Sequence, residues 1–522
     1  MQKWWGSLLK ERDWKRLLWL CLPAVAIGLG VRIWLMSAMP HAFIQPDSID
    51  LLTTPDHLLR KGEWYIAPKK TFLTPLLYTL TFFLPSPVLT TIAFGQHALG
   101  LLLILISGIL CRLWFRHSYF LIPIVTMLMA INPTLLWYEH TLMAESHYVF
   151  FVVLTALMGT LFARQKTAFF FVAFLISLFL TAGSRPEGKL FFAFGLLLTF
   201  LVSYRNWRTL AWQFSLLLLL AIGTSRLTKS SQAGLLLYTS VITLTPDKIK
   251  SAPGFETYVL LTRDRLRNEW KHRYYDMAAV RKEITRAAQN YLKTQNLNTN
   301  SKAVNKLCFK LALETCLKNP SQLPHMALMK FRQSLLKLAS GSFDEQWLID
   351  RQMKTVRSDF DILTRYSRKL TDEKLISIID YENFVKTHYH LASSHFFRKL
   401  QKNWNQFQNF GISSPQNLIQ LPFIPPFYWL ALLGLLLSPL LKKELLSFHS
   451  TWALMILGLW FVIFLTANTK ERFRFIFEPF WILYLAALID LLITILKRCF
   501  ASARMKPGEI PKSDKLKIYS PQ

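Results

Sequence analysis

Four short stretches of this chain carry side chains able to move a proton or hold a phosphate. The first has Pro46, Asp47, Ser48, Asp50 and Asp56, and the second Asn132, Pro133, Tyr138, Glu139, His140 and Glu145. The third has Arg185, Pro186 and Glu187, and the fourth Lys470, Glu471, Arg472, Arg474 and Glu478. A carboxylate at a membrane edge stays ionised unless desolvated, so it can take the proton of an attacking hydroxyl. A guanidinium presents a planar fork that matches phosphate oxygens. Each stretch adjoins an apolar run, where a charge is costly unless it faces a cavity or a partner. Together these residue types suit a reaction between a membrane-held phosphate and a hydroxyl group. Each also has a plainer reading. Asp47 would cap a helix that starts at Pro46-Asp47-Ser48, and Glu145 would be a first-turn charge favoured by a helix dipole. Arg185 with Glu187 would be an ion pair in a solvated loop. Arg472 and Arg474 would be cations snorkelling at a span end.

The elements that must position these residues are apolar and long. The chain of 522 residues is 52% hydrophobic, with uncharged runs such as Leu17–Val31 and Val149–Ala163. Inside lipid the backbone must satisfy its own hydrogen bonds, which makes such runs helices. The expected spans are Leu17–Met39, Val88–Leu110, Ser118–Ile131, Ala144–Ala163, Ala168–Gly183, Leu190–Ser203, Leu210–Ser225, Phe427–Leu441, Thr451–Thr466 and Phe477–Ile495. Thr71–Leu84, short and containing Pro75, is expected to be a re-entrant or interfacial helix. The fold class is therefore an all-α polytopic membrane protein of about ten transmembrane helices, with a mainly helical extracytoplasmic domain.

Basic residues orient the spans. Lys3, Lys10, Arg12, Lys15 and Arg16 precede the first span, and alternate short loops carry Arg112 and Arg116, Arg164 and Lys166, Arg205 and Arg208, and Lys442 and Lys443. The carboxyl tail adds Lys497, Arg498, Arg504 and Lys506. Ten spans with both termini inside put all these flanks in the cytoplasm and all four polar stretches outside. The expected organisation is a transmembrane region over residues 1–227 with catalytic outer loops, an extracytoplasmic helical domain over 228–425, transmembrane helices over 426–497 and a basic cytoplasmic tail over 498–522. The long segment carries 30 Lys and Arg against 16 Asp and Glu, which its length permits outside, since long loops translocate largely regardless of charge.

The same placement argues against nucleic acid as a partner despite a net charge of +30, because the cations cluster at the ends of apolar runs. Cys308 and Cys316 would lie about 12 Å apart along one helix, too far to pair, and no disulfide framework is implied. No cleavable signal peptide is visible. The chain has no phosphate-binding Gly-rich loop, which argues against a soluble nucleotide as its ligand. Absence of a proline-free Asn-X-Ser/Thr acceptor in the outer segment favours a bacterial envelope.

In their order and sidedness these stretches resemble the polyprenyl-phosphate-dependent glycosyltransferases of the multi-span GT-C class, which include bacterial aminoarabinose transferases and protein O-mannosyltransferases. The matching elements are Pro46-Asp47-Ser48 followed by Ile49–Arg60 and Gly62; Asn132-Pro133 through Tyr138 to Met143-Ala144-Glu145; Arg185-Pro186-Glu187; and Glu471-Arg472-Phe473-Arg474 with Glu478-Pro479. The helix ending at Lys318-Asn319-Pro320 and its successor resemble the family's juxtamembrane pair. Two features depart from the pattern. Ile49-Asp50-Leu51-Leu52 stands where a tyrosine is expected, and the outer domain precedes the last three spans, so acceptor recognition does not carry over. The resemblance implies sugar transfer from a polyprenyl-phosphate-linked donor to a lipid, glycan or protein hydroxyl, at the outer face of a bacterial inner membrane. It implies Asp47 as base with Glu145 assisting, Arg185, Arg472 and Arg474 on the donor phosphate, and Glu187, Tyr138 and His140 in support. It requires no cofactor and admits a divalent metal, although Asp47 and Asp50 form no Asp-X-Asp pair and His41, His57 and His140 have no ligand spacing. Two other readings stand beside it. A transporter or lipid-sugar flippase would place charges near mid-bilayer, and a non-catalytic assembly protein would use the outer domain to bind a partner.

Overall fold

The computed structural model describes residues 11–67, 70–115, 119–227, 233–270, 277–324, 326, 349–350, 352–353, 360–389, 394–408, 426–437 and 477–503. These are helices and turns with a single isolated β-bridge. The membrane region runs α1 (Glu11–Ala38), α2 (Pro46–Lys61), α3 (Leu73–Thr81), α4 (Val88–Trp114), α5 (Leu121–Ala130), α6 (Pro133–Glu139), α7 (Glu145–Gln165), α8 (Ala168–Ser184), α9 (Leu190–Ser203) and α10 (Trp207–Leu227). There follow α11 (Ala233–Val241), α12 (Glu256–Trp270), α13 (Met277–Thr294), α14 (Ser301–Lys318), α15 (Phe360–Thr371), α16 (Ile378–His388), α17 (Ser394–Gln408), α18 (Pro426–Leu437) and α19 (Glu478–Ala503).

Among the described residues, α1, α4, α7, α19 and the Pro186–Ser203 stretch containing α9 are long and apolar enough to cross a membrane. The α5 and α6 pair, bent by 48° at Ile131-Asn132, makes a sixth if taken as one span. The remaining expected spans fall on the shorter or less apolar helices α8, α10 and α18, except Thr451–Thr466, which lies outside the described residues. Large apolar side chains stand exposed around the bundle, among them Trp19, Ile33, Phe94, Phe169 and Leu219. A soluble protein rarely leaves so broad an apolar surface open, whereas hydrocarbon accepts it. The chain is a polytopic helical membrane protein. As expected for a helix of nine residues, α3 is too short to span; it lies against α2, α4 and α8.

The helices cross closely where a side chain is missing. A Cβ on Gly108 of α4 would sit 2.7 Å from Cys21 Sγ of α1, so the glycine lets these backbones approach, as small residues do in membrane bundles. Asp13, Arg16, Arg112, Tyr119 and Arg164 gather at one end of the bundle. Tyr119 donates to Asp13 Oδ1 over 2.5 Å, Arg112 Nη2 donates to Tyr119 over 2.8 Å, and Arg164 reaches the Leu113 carbonyl. The stretches around Asp47, Glu145 and Arg185 lie at the opposite ends of these same helices.

Residues 233–326 and 349–408 behave differently. Helices α11 to α14 bury their own core, including Tyr238, Phe255, Leu266, Ala288 and Leu311. In contrast Met353, Leu370, Phe384, Tyr389, Phe397 and Trp404 join the core of the membrane helices. Helix α15 lies on α2 and α4, and α17 lies on α6.

If the basic end is cytoplasmic, cysteines introduced at Lys166 and at Lys302, both exposed, will label from opposite sides in inverted and right-side-out vesicles of a cysteine-free variant. Labelling from the same side would refute that orientation.

Candidate functional site

The loop after α1 is held by its own backbone. Phe43 N–H donates to the His140 carbonyl and Leu142 N–H donates to the Phe43 carbonyl, each over 2.8 Å, forming the β-bridge between Phe43 and Thr141. A strand bond here is needed because buried backbone groups must find partners. Two residues later Gln45 caps α2, its N–H donating to Ser48 Oγ over 2.8 Å, and Pro46 fills the first helical position, where it has no N–H to leave unpaired. Ser48 Oγ then donates to the Leu142 carbonyl over 2.5 Å. The cap expected at Asp47 is therefore Gln45. Asp47 is a half-buried first-turn residue of α2, because Pro46 starts the helix one position earlier.

The second stretch starts as its sequence suggests. Asn132 caps α6, accepting from Thr134 N–H over 2.9 Å, with Pro133 at the first helical position. Tyr138 is buried within α6. Tyr78 of α3 donates to the Met143 carbonyl over 2.8 Å, and Gln96 of α4 donates to the same carbonyl over 3.1 Å. Glu145, 2% exposed, opens α7. It accepts from Arg185 Nη1, and Arg185 also donates from Nε to Glu187 Oε2 over 3.2 Å and from Nη2 to Glu187 Oε1 over 3.4 Å. Glu187 sits on the 3-10 turn Pro186–Lys189 and is the more exposed of the two acids. Arg185 thus stands between two carboxylates, with the Tyr148 ring 5.8 Å from its Cζ.

Three sequence-distant stretches are joined by these contacts. No more than about 11 Å of chain separates Leu142, bonded to Ser48, from Glu145, bonded to Arg185. The fourth stretch meets other helices. Glu478, fully buried at the start of α19, accepts from Tyr428 over 2.9 Å, while Arg472 and Arg474 lie outside the described residues.

The His140 side chain belongs to a second, buried network, of which Glu139 stood among the candidate stretches and Arg32 and His97 did not. Arg32 forks onto Glu139, with Nε to Oε2 at 2.8 Å and Nη2 to Oε1 at 2.7 Å. His97 Nδ1 stands 3.0 Å from Glu139 Oε2, and His97 Nε2 stands 2.9 Å from His140 Nδ1. Arg32 lies about 9 Å along the axis from the end of α1, so charge reaches further into the bundle than the edge where the sequence reading confined it. A Cβ on Gly100 would fall 2.1 Å from Glu139 Oε1, so only glycine there leaves room for the carboxylate. The signal was present, since a lone Arg and a lone His inside apolar runs mark a site by default. Among the described residues no group of three or more His, Cys, Asp or Glu side chains could hold a metal ion.

The segment from 349 to 389 braces the first loop from the other side. Ile44 N–H donates to Gln352 Oε1 over 3.3 Å, and Arg365 donates to Asp56 Oδ1 over 2.6 Å. Burial of Asp56 raises its carboxyl, but the bonds from Arg365, Tyr366 and Arg60 outweigh this and hold it below the usual range. His41 shares a hydrogen bond of 2.9 Å with Thr90, and its ring meets that of Phe384 at a tilt of 47°, centroids 5.1 Å apart. Burial, then the nearby His388, pushes the His41 imidazole down to about 4.

No protein-family model matches the chain, and no curated protein matches it. Among solved structures it is similar to the crystal structure of ArnT from Cupriavidus metallidurans bound to undecaprenyl phosphate, with 13% identity over 73% of this chain and 78% of that chain and a TM-score of 0.34. Activity has to be argued from this chain's own residues.

Two outcomes follow from the buried groups. Arg32→Met should cost about 3–5 kcal/mol by leaving Glu139 a buried unpaired charge, and adding Glu139→Gln should recover most of it. Thermal unfolding in detergent measures both, and a single variant as stable as the parent would refute the pairing. The unfolded chain binds a proton at His41 near pH 6.5 that the folded chain refuses until about 4. Stability from this group is therefore complete above about pH 6.5 and lost as pH falls toward 4. His41→Gln should flatten that part of the stability–pH profile, and an unchanged slope would contradict it.

Proposed function

We propose that this chain is a membrane glycosyltransferase. It transfers a sugar from a polyprenyl-phosphate-linked donor to an acceptor hydroxyl on the extracytoplasmic face of a bacterial inner membrane. The observation that carries the reading is the joining of the stretches around Asp47, Glu145 and Arg185 at one end of the bundle. Two acids and an arginine from three separate stretches are thereby gathered at one edge, where a fold needs only enough of them to fix a crossing. A reaction at a lipid phosphate uses all three.

In the proposed reaction Asp47 takes the acceptor's hydroxyl proton as its oxygen attacks the anomeric carbon. The bond from that carbon to the phosphate oxygen breaks, and its electron pair leaves with the polyprenyl phosphate. A single in-line displacement inverts the anomeric configuration. The negative charge growing on the phosphate is met by Arg185, with Arg472 and Arg474 proposed beside it from the sequence alone. Glu145 holds Arg185 in place. Tyr138 and His140 act at one remove, since Tyr138 is buried in α6 and His140 belongs to the network with Arg32.

One observation favours a transport reading, namely the buried Arg32–Glu139 pair beside the bent α5–α6 span. Under that reading Glu139→Gln would abolish movement of a lipid-linked sugar across vesicles while Asp47→Asn would leave it intact.

Asp47→Asn separates catalysis from scaffolding, because the asparagine keeps the shape of α2's first turn and removes the charge. Sugar transfer from a synthetic polyprenyl-phosphosugar by the reconstituted protein should fall about 10²–10⁴-fold, with donor binding nearly unchanged. Parental transfer rates in a folded Asp47→Asn protein would remove Asp47 from the mechanism.

A further inference from the structure

The two acids on Arg185 are not equivalent. Glu145 is 2% exposed and fixed at the start of α7. Glu187 has a side chain 24% exposed and takes the Nε and Nη2 edge of the guanidinium through longer contacts of 3.2 and 3.4 Å. That edge is the one a phosphate would take with two oxygens. The Tyr148 ring lies 5.8 Å from the Cζ of the same guanidinium, and this fully buried tyrosine has a hydroxyl with no hydrogen-bond partner among the described residues. A buried hydroxyl left without an acceptor is costly, and such a group calls for explanation.

Charge decides between adding a phosphate and exchanging one. A polyprenyl-phosphosugar is a phosphodiester with one negative charge, the same as a carboxylate. Its arrival with Glu187 still in place would set three anions around Arg185. Its arrival in exchange for Glu187 leaves the local charge unaltered. After transfer the carrier is a phosphomonoester, which holds about −1.5 to −2 near neutral pH and grips the arginine harder. A tethered carboxylate that returns to the same edge would then help expel it.

We infer that Glu187 occupies on Arg185 the place of the donor's phosphate, yields it when the lipid binds, and competes the product off afterwards, while the Tyr148 hydroxyl donates to the bound phosphate. This rests on the proposed reading of the site and adds to it a displaceable internal anion. Glu187 is here a positioning residue for the exchange. Its effect is the opposite of what a purely structural partner of Arg185 would have.

The test uses the full-length protein in phosphatidylcholine nanodiscs, with a synthetic polyprenyl monophosphate and inorganic phosphate as separate probes. Glu187→Gln should bind the lipid about two- to fivefold tighter, the factor a partly exposed ion pair is worth. It should also lower both KM for the donor and kcat, because release of the carrier slows. Glu187→Asp, which keeps the charge and draws it back, should fall between. Tyr148→Phe should weaken lipid binding several-fold, and an unchanged affinity would overturn its part. Weaker or unchanged lipid binding in Glu187→Gln, with binding that still depends on Arg185, would overturn the exchange and leave the proposed function standing. Tighter inorganic phosphate with no change for the lipid would assign the edge to a free anion and overturn the inference too. A folded parent that binds no polyprenyl phosphate would overturn the proposed function itself.

Discussion

The backbone of Phe43 carries the arrangement on which everything else at this end of the bundle depends. Its N–H and its carbonyl are both spent on the turn after α6, one on each side of Thr141. Near hydrocarbon no water is on hand to replace either bond, so the loop after α1 has one place to go. From that register follow the start of α2 at Gln45, the bond from Ser48 to Leu142, and the position of Glu145 at the head of α7. The side chains that could do chemistry are thus set by a main-chain contact between residues of no chemical interest.

Buried charge is handled in closed groups. Arg32 answers Glu139, Arg185 answers Glu145 and Glu187, and Asp56 answers Arg60 and Arg365. Each group draws members from different helices, so each also fixes a crossing. Such pairs add little net stability over apolar contacts but are severe when half of one is removed. They specify which helices meet more than how strongly they hold.

The helices were legible because apolar runs are; α9 coincides with its expected span of Leu190–Ser203. The ends of α1 and α19 were not, since polar turns such as Glu11–Arg16 continue a helix past the lipid without leaving an apolar trace. The bend at Asn132 read as a turn between spans, because a capped proline start looks the same whether it opens a loop or breaks a helix. At the site, the sequence pointed to Asp47, Glu145, Arg185 and Glu187, and three of these prove to be one ion cluster. It could not reveal the bridge at Phe43, because backbone pairing leaves no signature in side chains. Nor could it tell that residues 349–408 would pack on the membrane helices while 233–326 keep a core of their own, since both read as amphipathic helix.

The bridge at Phe43 also has a meaning in time. A chain is made from its amino end at about 5–20 residues per second, so Phe43 leaves the ribosome several seconds before its partners at 140 and 142. The braces at Gln352, Arg365 and Tyr389 follow later still. Until residue 142 is made the loop before Asp47 lacks its bridge, and until residue 389 is made it lacks the last of its braces. The loop after α1 is thus tied in two stages, first to its early neighbours and only later to the segment packed on its other side, so its full set of contacts is completed late in biogenesis.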